Sequence, residues 1–147
     1  MSASEAQPIL ILLVEDNAGD VRLTKEALKE GKVANSLHVV PDGVEALAFL
    51  KREGRYSGAP RPDLVLLDLN LPRLDGRAVL AQIKQSADLK RIPVVVLTTS
   101  KAEEDILKTY DLHANCYIQK PVEFEKFVSV VRMIDQFWLT IVKLPPA

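Results

Sequence analysis

Five short apolar runs punctuate the chain: Ile9–Val14, Leu37–Val40, Leu64–Leu67, Pro93–Leu97 and, more weakly, Cys116–Ile118. Such runs, short, continuous and rich in β-branched residues, read as strands buried on both faces, the pattern of a parallel sheet. Between them apolar positions recur at helical spacing. Val21, Thr24, Ala27 and Leu28 form one stripe, Val79, Leu80 and Ile83 a second, Ile106, Leu107 and Tyr110 a third. Ser100 with Glu103 makes a capping box before the last of these, and Asp42 and Asp75 each precede a glycine at a helix start. Asp42-Gly43 is equally a hairpin signal. The residues after it, Val44 to Lys51, lack strand alternation and are rich in helix formers, so a helix is expected with the hairpin as its alternative. Arg55 to Pro62 is a Gly/Pro-rich loop, too short to link two domains. Regular alternation of strand and helix predicts an α/β fold: a doubly wound, five-stranded parallel sheet with helices on both faces.

At 147 residues the chain amounts to one domain, since a domain takes roughly 100–200 residues. Residues 1–8 are expected to be a disordered leader without the basic region of a signal peptide, and residues 9–147 a single domain. A composition 48% hydrophobic and 27% charged, with mean hydropathy +0.06, supports a core. The net charge of −1 supplies no field to hold a polyanion, which argues against nucleic acid as the main ligand. The single cysteine, Cys116, cannot form an internal disulfide or a cysteine-rich zinc site, and a reducing cytoplasm fits best. Ile9–Val14 is far short of the roughly 18 apolar residues of a membrane span.

In an open parallel sheet, ligands gather beyond the carboxyl ends of the strands. There the first strand presents Glu15-Asp16, the third Asp68, the fourth Thr98 and the fifth Lys120. The first strand–helix turn has neither a dinucleotide fingerprint nor a P-loop. Three carboxylates in one place repel each other, by roughly 4 kcal/mol per pair at about 4 Å and an effective dielectric of about 20. They must take up protons or bind a hard cation, and an all-oxygen set without His or Cys favours Mg²⁺. Thr98 offers a hydroxyl and Lys120 a mobile positive charge, both suited to phosphoryl oxygens. Asp68 is then the candidate nucleophile, exposed by the Asn70-Leu71-Pro72 turn that follows it.

These residues stand in motifs: Leu-Val-Glu15-Asp16-Asn, Asp68-Leu-Asn70-Leu-Pro72-x-x-Asp75-Gly76, Val96-Leu97-Thr98 and Tyr117-Ile-x-Lys120-Pro121. With them the chain resembles the receiver domain of two-component response regulators, from Ile9 to about Trp138. The stretch from Thr98 to Asp105, the Asn115-Cys116-Tyr117 segment and Phe137-Trp138 look more narrowly like cyanobacterial phytochrome response regulators. The resemblance implies a sheet order 2-1-3-4-5. It implies that Asp68 accepts phosphate from the phosphohistidine of a sensor kinase, here one of phytochrome type. Mg²⁺ would be held by Asp16, Asp68 and the backbone carbonyl of Asn70, with Glu15 acting mainly through water. Thr98 and Lys120 would grip the phosphoryl group, Thr98 and Tyr117 would form the switch, and Lys120–Pro121 would be a cis bond. Thr99 stands where the family keeps a very small residue, so crowding of the phosphate is expected. His113 stands at a position that is often glycine. His38 on the second strand reads as structural, and Cys116 as a small buried hydrophobe.

The rival reading is a Mg²⁺-dependent phosphohydrolase of the haloacid dehalogenase type, which also uses Asp, Thr and Lys. That family places an Asp-x-Asp on its first strand and encloses substrate under a cap, and neither is found here. The 27 residues after Lys120 are expected to hold one extended helix and a tail, not a DNA-binding module. The output is then a protein contact, and the chain is a phospho-acceptor, not an enzyme of multiple turnover. In that last helix Phe124, Phe127, Val128, Val131, Ile134 and Trp138 form one apolar stripe. Val130, Met133, Phe137 and Ile141 form a second beside it, and the two span roughly 220°, more than one core-facing side needs. The second stripe is expected either to lie under the tail or to form a symmetric dimer through the fourth helix, fifth strand and fifth helix.

Overall fold

A computed structural model describes residues 9–30, 35–99, 114, 116–120, 122 and 125. Five parallel strands form one sheet in the order β2-β1-β3-β4-β5, as expected. They are β1 (Ile9–Val14), β2 (Asn35–Val40), β3 (Leu64–Asp68), β4 (Val94–Thr98) and β5 (Cys116–Gln119). Among the described residues three α-helices lie between them: α1 (Ala18–Glu30), α2 (Gly43–Lys51) and α3 (Gly76–Gln85). The leader, His113, Pro121, the stripe at Ile106, Leu107 and Tyr110, and the C-terminal stripes with Val130, Met133, Phe137 and Ile141 lie outside the described residues.

Each strand feeds two cores, because successive side chains point to opposite faces. Leu12, Val14, Val65, Leu67, Val94 and Val96 pack with the buried faces of α2 and α3. Ile11, Leu13, Leu64, Leu66, Val95 and Leu97 pack with Ala27 and Leu28 of α1. Helices therefore cover both faces. β1, β3 and β4 are buried throughout but for a half-buried Leu10, which is why they read as unbroken apolar runs. His38 on β2 packs its ring against Phe49, centroids 5.4 Å apart, in keeping with a structural role.

The helix starts follow from their caps. Asp42 accepts the N–H of Glu45 at 2.8 Å and Asp75 that of Ala78 at 3.1 Å, each satisfying a donor that the first turn leaves open. At Asp42-Gly43 the helix prevails over the hairpin. The two glycines serve close approach. A Cβ on Gly43 would stand 2.0 Å from the carbonyl oxygen of Leu74, and one on Gly76 would stand 2.4 Å from that of Asp68. The loop between Asp68 and α3 is thus seated against both helix starts. Arg73 within it lies in the left-handed region at φ 66°, and its Nη1 is 3.2 Å from Asp42 Oδ2.

In an exposed helix, Gly→Ala stabilises by about 1 kcal/mol. Gly76→Ala is expected to do the opposite and destabilise by about 1–3 kcal/mol, because backbone must move to admit the methyl. Urea unfolding measures it, and an unchanged or raised midpoint would contradict the contact.

Candidate functional site

Because the strands are parallel and in register, their carboxyl ends meet at one edge of the sheet. Asp68 pairs with Leu97, and Thr98 pairs with Gln119. Glu15 and Asp16 follow β1 directly, and Lys120 follows β5, its N–H donating to the Thr98 carbonyl at 2.8 Å. Glu15, Asp16 and Asp68 each bring a carboxylate oxygen within 4.8 Å of the others. Glu15 and Asp68 are only 2% and 3% exposed, while Asp16 stands open to solvent.

The Lys120 ammonium enters this group from β5. Its Nζ lies 2.9 Å from Glu15 Oε1, 2.9 Å from Asp20 Oδ2 and 3.2 Å from Asp68 Oδ2. Backbone donors hold the other carboxylate oxygens. Asn70 N–H donates to Asp68 Oδ1 at 3.1 Å, and Asn17 N–H to Glu15 Oε2 at 3.2 Å. One expectation is corrected here. Asp68 is not exposed by the turn after it: it is buried, with the lysine over its second oxygen. Lys120 stands within 3.2 Å of three carboxylates.

The electrostatics follow from this crowding. Burial pushes the Glu15 carboxyl up to about 7; Lys120 opposes the rise and neighbouring Asp68 adds to it. Burial alone would lower Lys120, but the hydrogen bond to Asp20 and the charges of Glu15 and Asp68 outweigh it and hold the ammonium above the usual lysine range. Within the site one carboxylate oxygen is left over. Glu15 Oε1 is buried without an aligned hydrogen-bond donor, although the lysine is close enough to form an ion pair. A buried oxygen without an aligned donor, among carboxylates from two neighbouring strands, fits a hard divalent cation, which takes oxygen ligands.

Of the other residues singled out in the sequence, Thr98 is buried at the end of β4. Asn70 is exposed, with its backbone turned to Asp68. Tyr117 is half-buried against the α2–α3 core, and its hydroxyl accepts the Ala114 N–H at 3.3 Å. Thr99 is exposed, and its carbonyl accepts from Gln119 Nε2 at 3.4 Å. Asp20 was not singled out. An acid in the first turn of a helix is ordinary, being favoured by the helix dipole, and only its contact with Lys120 sets it apart.

Residues 11–132 match the response regulator receiver domain, and the chain belongs to that family. It is 51% identical to response regulator Rcp1 of Synechocystis sp., over 100% of both chains. It is similar in structure to the phosphorylated cyanobacterial phytochrome response regulator RcpA, with 52% identity and TM-score 0.75 over 95% of this chain and 100% of that one. The Mn²⁺-bound form of Rcp1 is similar too, with 52% identity and TM-score 0.74 over the same shares. The narrower likeness to phytochrome response regulators is therefore borne out, and the dehalogenase reading gives way. Receiver domains are signalling proteins that bind a divalent metal. No helix among the described residues is long and apolar enough to cross a membrane.

A carboxyl whose pKa rises on folding stabilises the protein fully below its ordinary value, about 4.5, and loses that contribution as pH climbs through about 7. Glu15→Gln, neutral throughout, is expected to gain on the parent chain by about 1–3 kcal/mol between about pH 5 and about pH 8 in cation-free buffer. Urea unfolding at the two pH values checks this, and a flat difference would mean that Glu15 does not titrate there.

Proposed function

We propose that this chain is a response regulator that accepts a phosphoryl group from a histidine kinase onto Asp68 and signals by protein contact. The observation that carries this reading is the setting of the Asp68 carboxylate. It stands at the carboxyl edge of the sheet, with Oδ1 held by the Asn70 N–H and Oδ2 facing Lys120 Nζ at 3.2 Å. A carboxylate so oriented attacks phosphorus as an aligned nucleophile. The new O–P bond forms as the P–N bond of the phosphohistidine breaks, and the bonding pair leaves with the imidazole.

The surrounding residues divide the remaining work. Lys120 and Thr98 bind phosphoryl oxygens, the first by charge and the second by its hydroxyl. Asp16, Asp68 and the carbonyl of Asn70 would hold Mg²⁺, with Glu15 acting through water; when bound, the ion neutralises the carboxylates against the incoming anion. As Thr98 turns toward the phosphoryl group it vacates space for the Tyr117 ring, and this pair biases a two-state arrangement of the fourth helix and β5. The similarity to Rcp1 and RcpA supports a kinase of phytochrome type as the donor. The second apolar stripe, with Val130, Met133, Phe137 and Ile141, supports a homodimer through the fourth helix, β5 and fifth helix as the signalling surface. The lone cysteine and the absence of a membrane-spanning helix among the described residues agree with a cytoplasmic protein.

Asp68→Asn keeps the shape and removes the nucleophile. Incubation with a phosphorylated histidine kinase and Mg²⁺ should load about one phosphoryl group per parent chain and none on the variant, read by phosphate-affinity electrophoresis. Undiminished labelling of a folded Asp68→Asn chain would overturn the assignment. Thr98→Ala is expected to accept phosphate and yet lose the phosphorylation-dependent change in self-association, followed by sedimentation. An intact change would refute the Thr98–Tyr117 coupling.

A further inference from the structure

Lys120 gives its aligned side-chain hydrogen bond to Asp20, from Nζ to Oδ2 at 2.9 Å. The same ammonium stands 2.9 Å from Glu15 Oε1, which lacks an aligned donor, and 3.2 Å from Asp68 Oδ2. Its charge is thus divided between the buried pair and an acid on the rim, for the Asp20 side chain is 31% exposed and that of Asp68 only 4%.

An acid at this place has an ordinary use that Asp20 does not serve. Asn17 caps α1, its Oδ1 accepting the Asp20 N–H at 2.9 Å and its carbonyl the Val21 N–H at 3.0 Å. In a capping box the side chain at Asp20's position would turn back to the N–H of the cap. Here that N–H goes to Glu15 Oε2, and the Asp20 carboxylate reaches a lysine 100 residues away instead.

Resting on the reading of Asp68 as phosphoryl acceptor, we propose that Asp20 is a positioning residue for Lys120. It draws the ammonium toward α1, so that a divalent cation displaces it more readily from the oxygens of Glu15 and Asp68. An ammonium and a cation compete for the same carboxylate oxygens. Without Asp20 the ammonium has, among the described residues, only the buried pair to pair with, and a cation must displace it from both.

Calorimetric titration of the intact chain with Mg²⁺ alone tests this on the parent, Asp20→Asn, Asp20→Glu, Lys120→Met and the Asp20→Asn/Lys120→Met double variant. Asp20→Asn is expected to weaken Mg²⁺ binding by roughly tenfold, the scale for a group that orients a ligand, and Asp20→Glu to restore most of it. In the Lys120→Met background the same change should cost less than about twofold, since there is no ammonium left to position. An equal loss in both backgrounds would show that Asp20 acts by its own charge and overturn the proposal, as would undiminished affinity in Asp20→Asn. Should Lys120→Met fail to fold, phosphoryl acceptance against Mg²⁺ concentration decides. The half-saturating Mg²⁺ should rise for Asp20→Asn while the rate at saturation stays within about twofold of the parent. A fall in the saturated rate with unchanged Mg²⁺ requirement would sink the idea. The calorimetry needs no phosphotransfer, so failure of Asp68 as acceptor would appear separately, as absent labelling with the Asp20 effect on Mg²⁺ intact.

Discussion

One ammonium group makes the carboxyl edge of this sheet possible. Glu15 and Asp68 are almost fully buried, and neither could remain so as an unpaired anion, since desolvating a lone carboxylate costs several kcal/mol or more. Lys120 Nζ stands within 3.2 Å of both. It arrives from the far end of the chain, on the strand that closes the sheet, so the acid pair is neutralised only when β5 has paired with β4. The compensation is partial: Glu15 is still driven up to about 7, and one of its oxygens has no aligned donor. That residual deficit makes the site receptive to a cation.

The strands were legible because burial on both faces leaves an unbroken apolar run, and the misjudged ends have simple causes. β2 extends back to Asn35 and Ser36, which are polar but pair with Ile9 and Leu10; a ladder joins backbones and is indifferent to side-chain polarity. β4 begins at Val94 and not at Pro93. Proline has no N–H to give the ladder, though its carbonyl still accepts from Val65 at 3.0 Å. Asp42 and Asp75 were readable as caps because capping is local, decided within three residues.

The acid pair, Asp68, Thr98 and Lys120 could be found because topology brings all parallel strand ends to one edge. How they meet there could not. Asp68 is faced by a lysine 52 residues further along the chain, and Asp20 reaches that lysine while Glu15 takes the N–H of the helix cap. Both are outcomes of competition among neighbours in space, which no local spacing records.

The seating of the loop after Asp68 has a mechanical consequence. Gly43 and Gly76 let backbone touch backbone at Leu74 and at Asp68 itself, and Arg73 is tied to the buried cap of α2. Contacts of this kind have no side-chain rotamers to absorb a displacement, so on this flank Asp68 rests against a stiff wall. Its other flank is the ends of β4 and β5, where Lys120 and Thr98 are side chains with torsional freedom. Asp68 is thus confined by backbone on one flank and by side chains on the other, an inequality set by two glycines, Gly43 and Gly76.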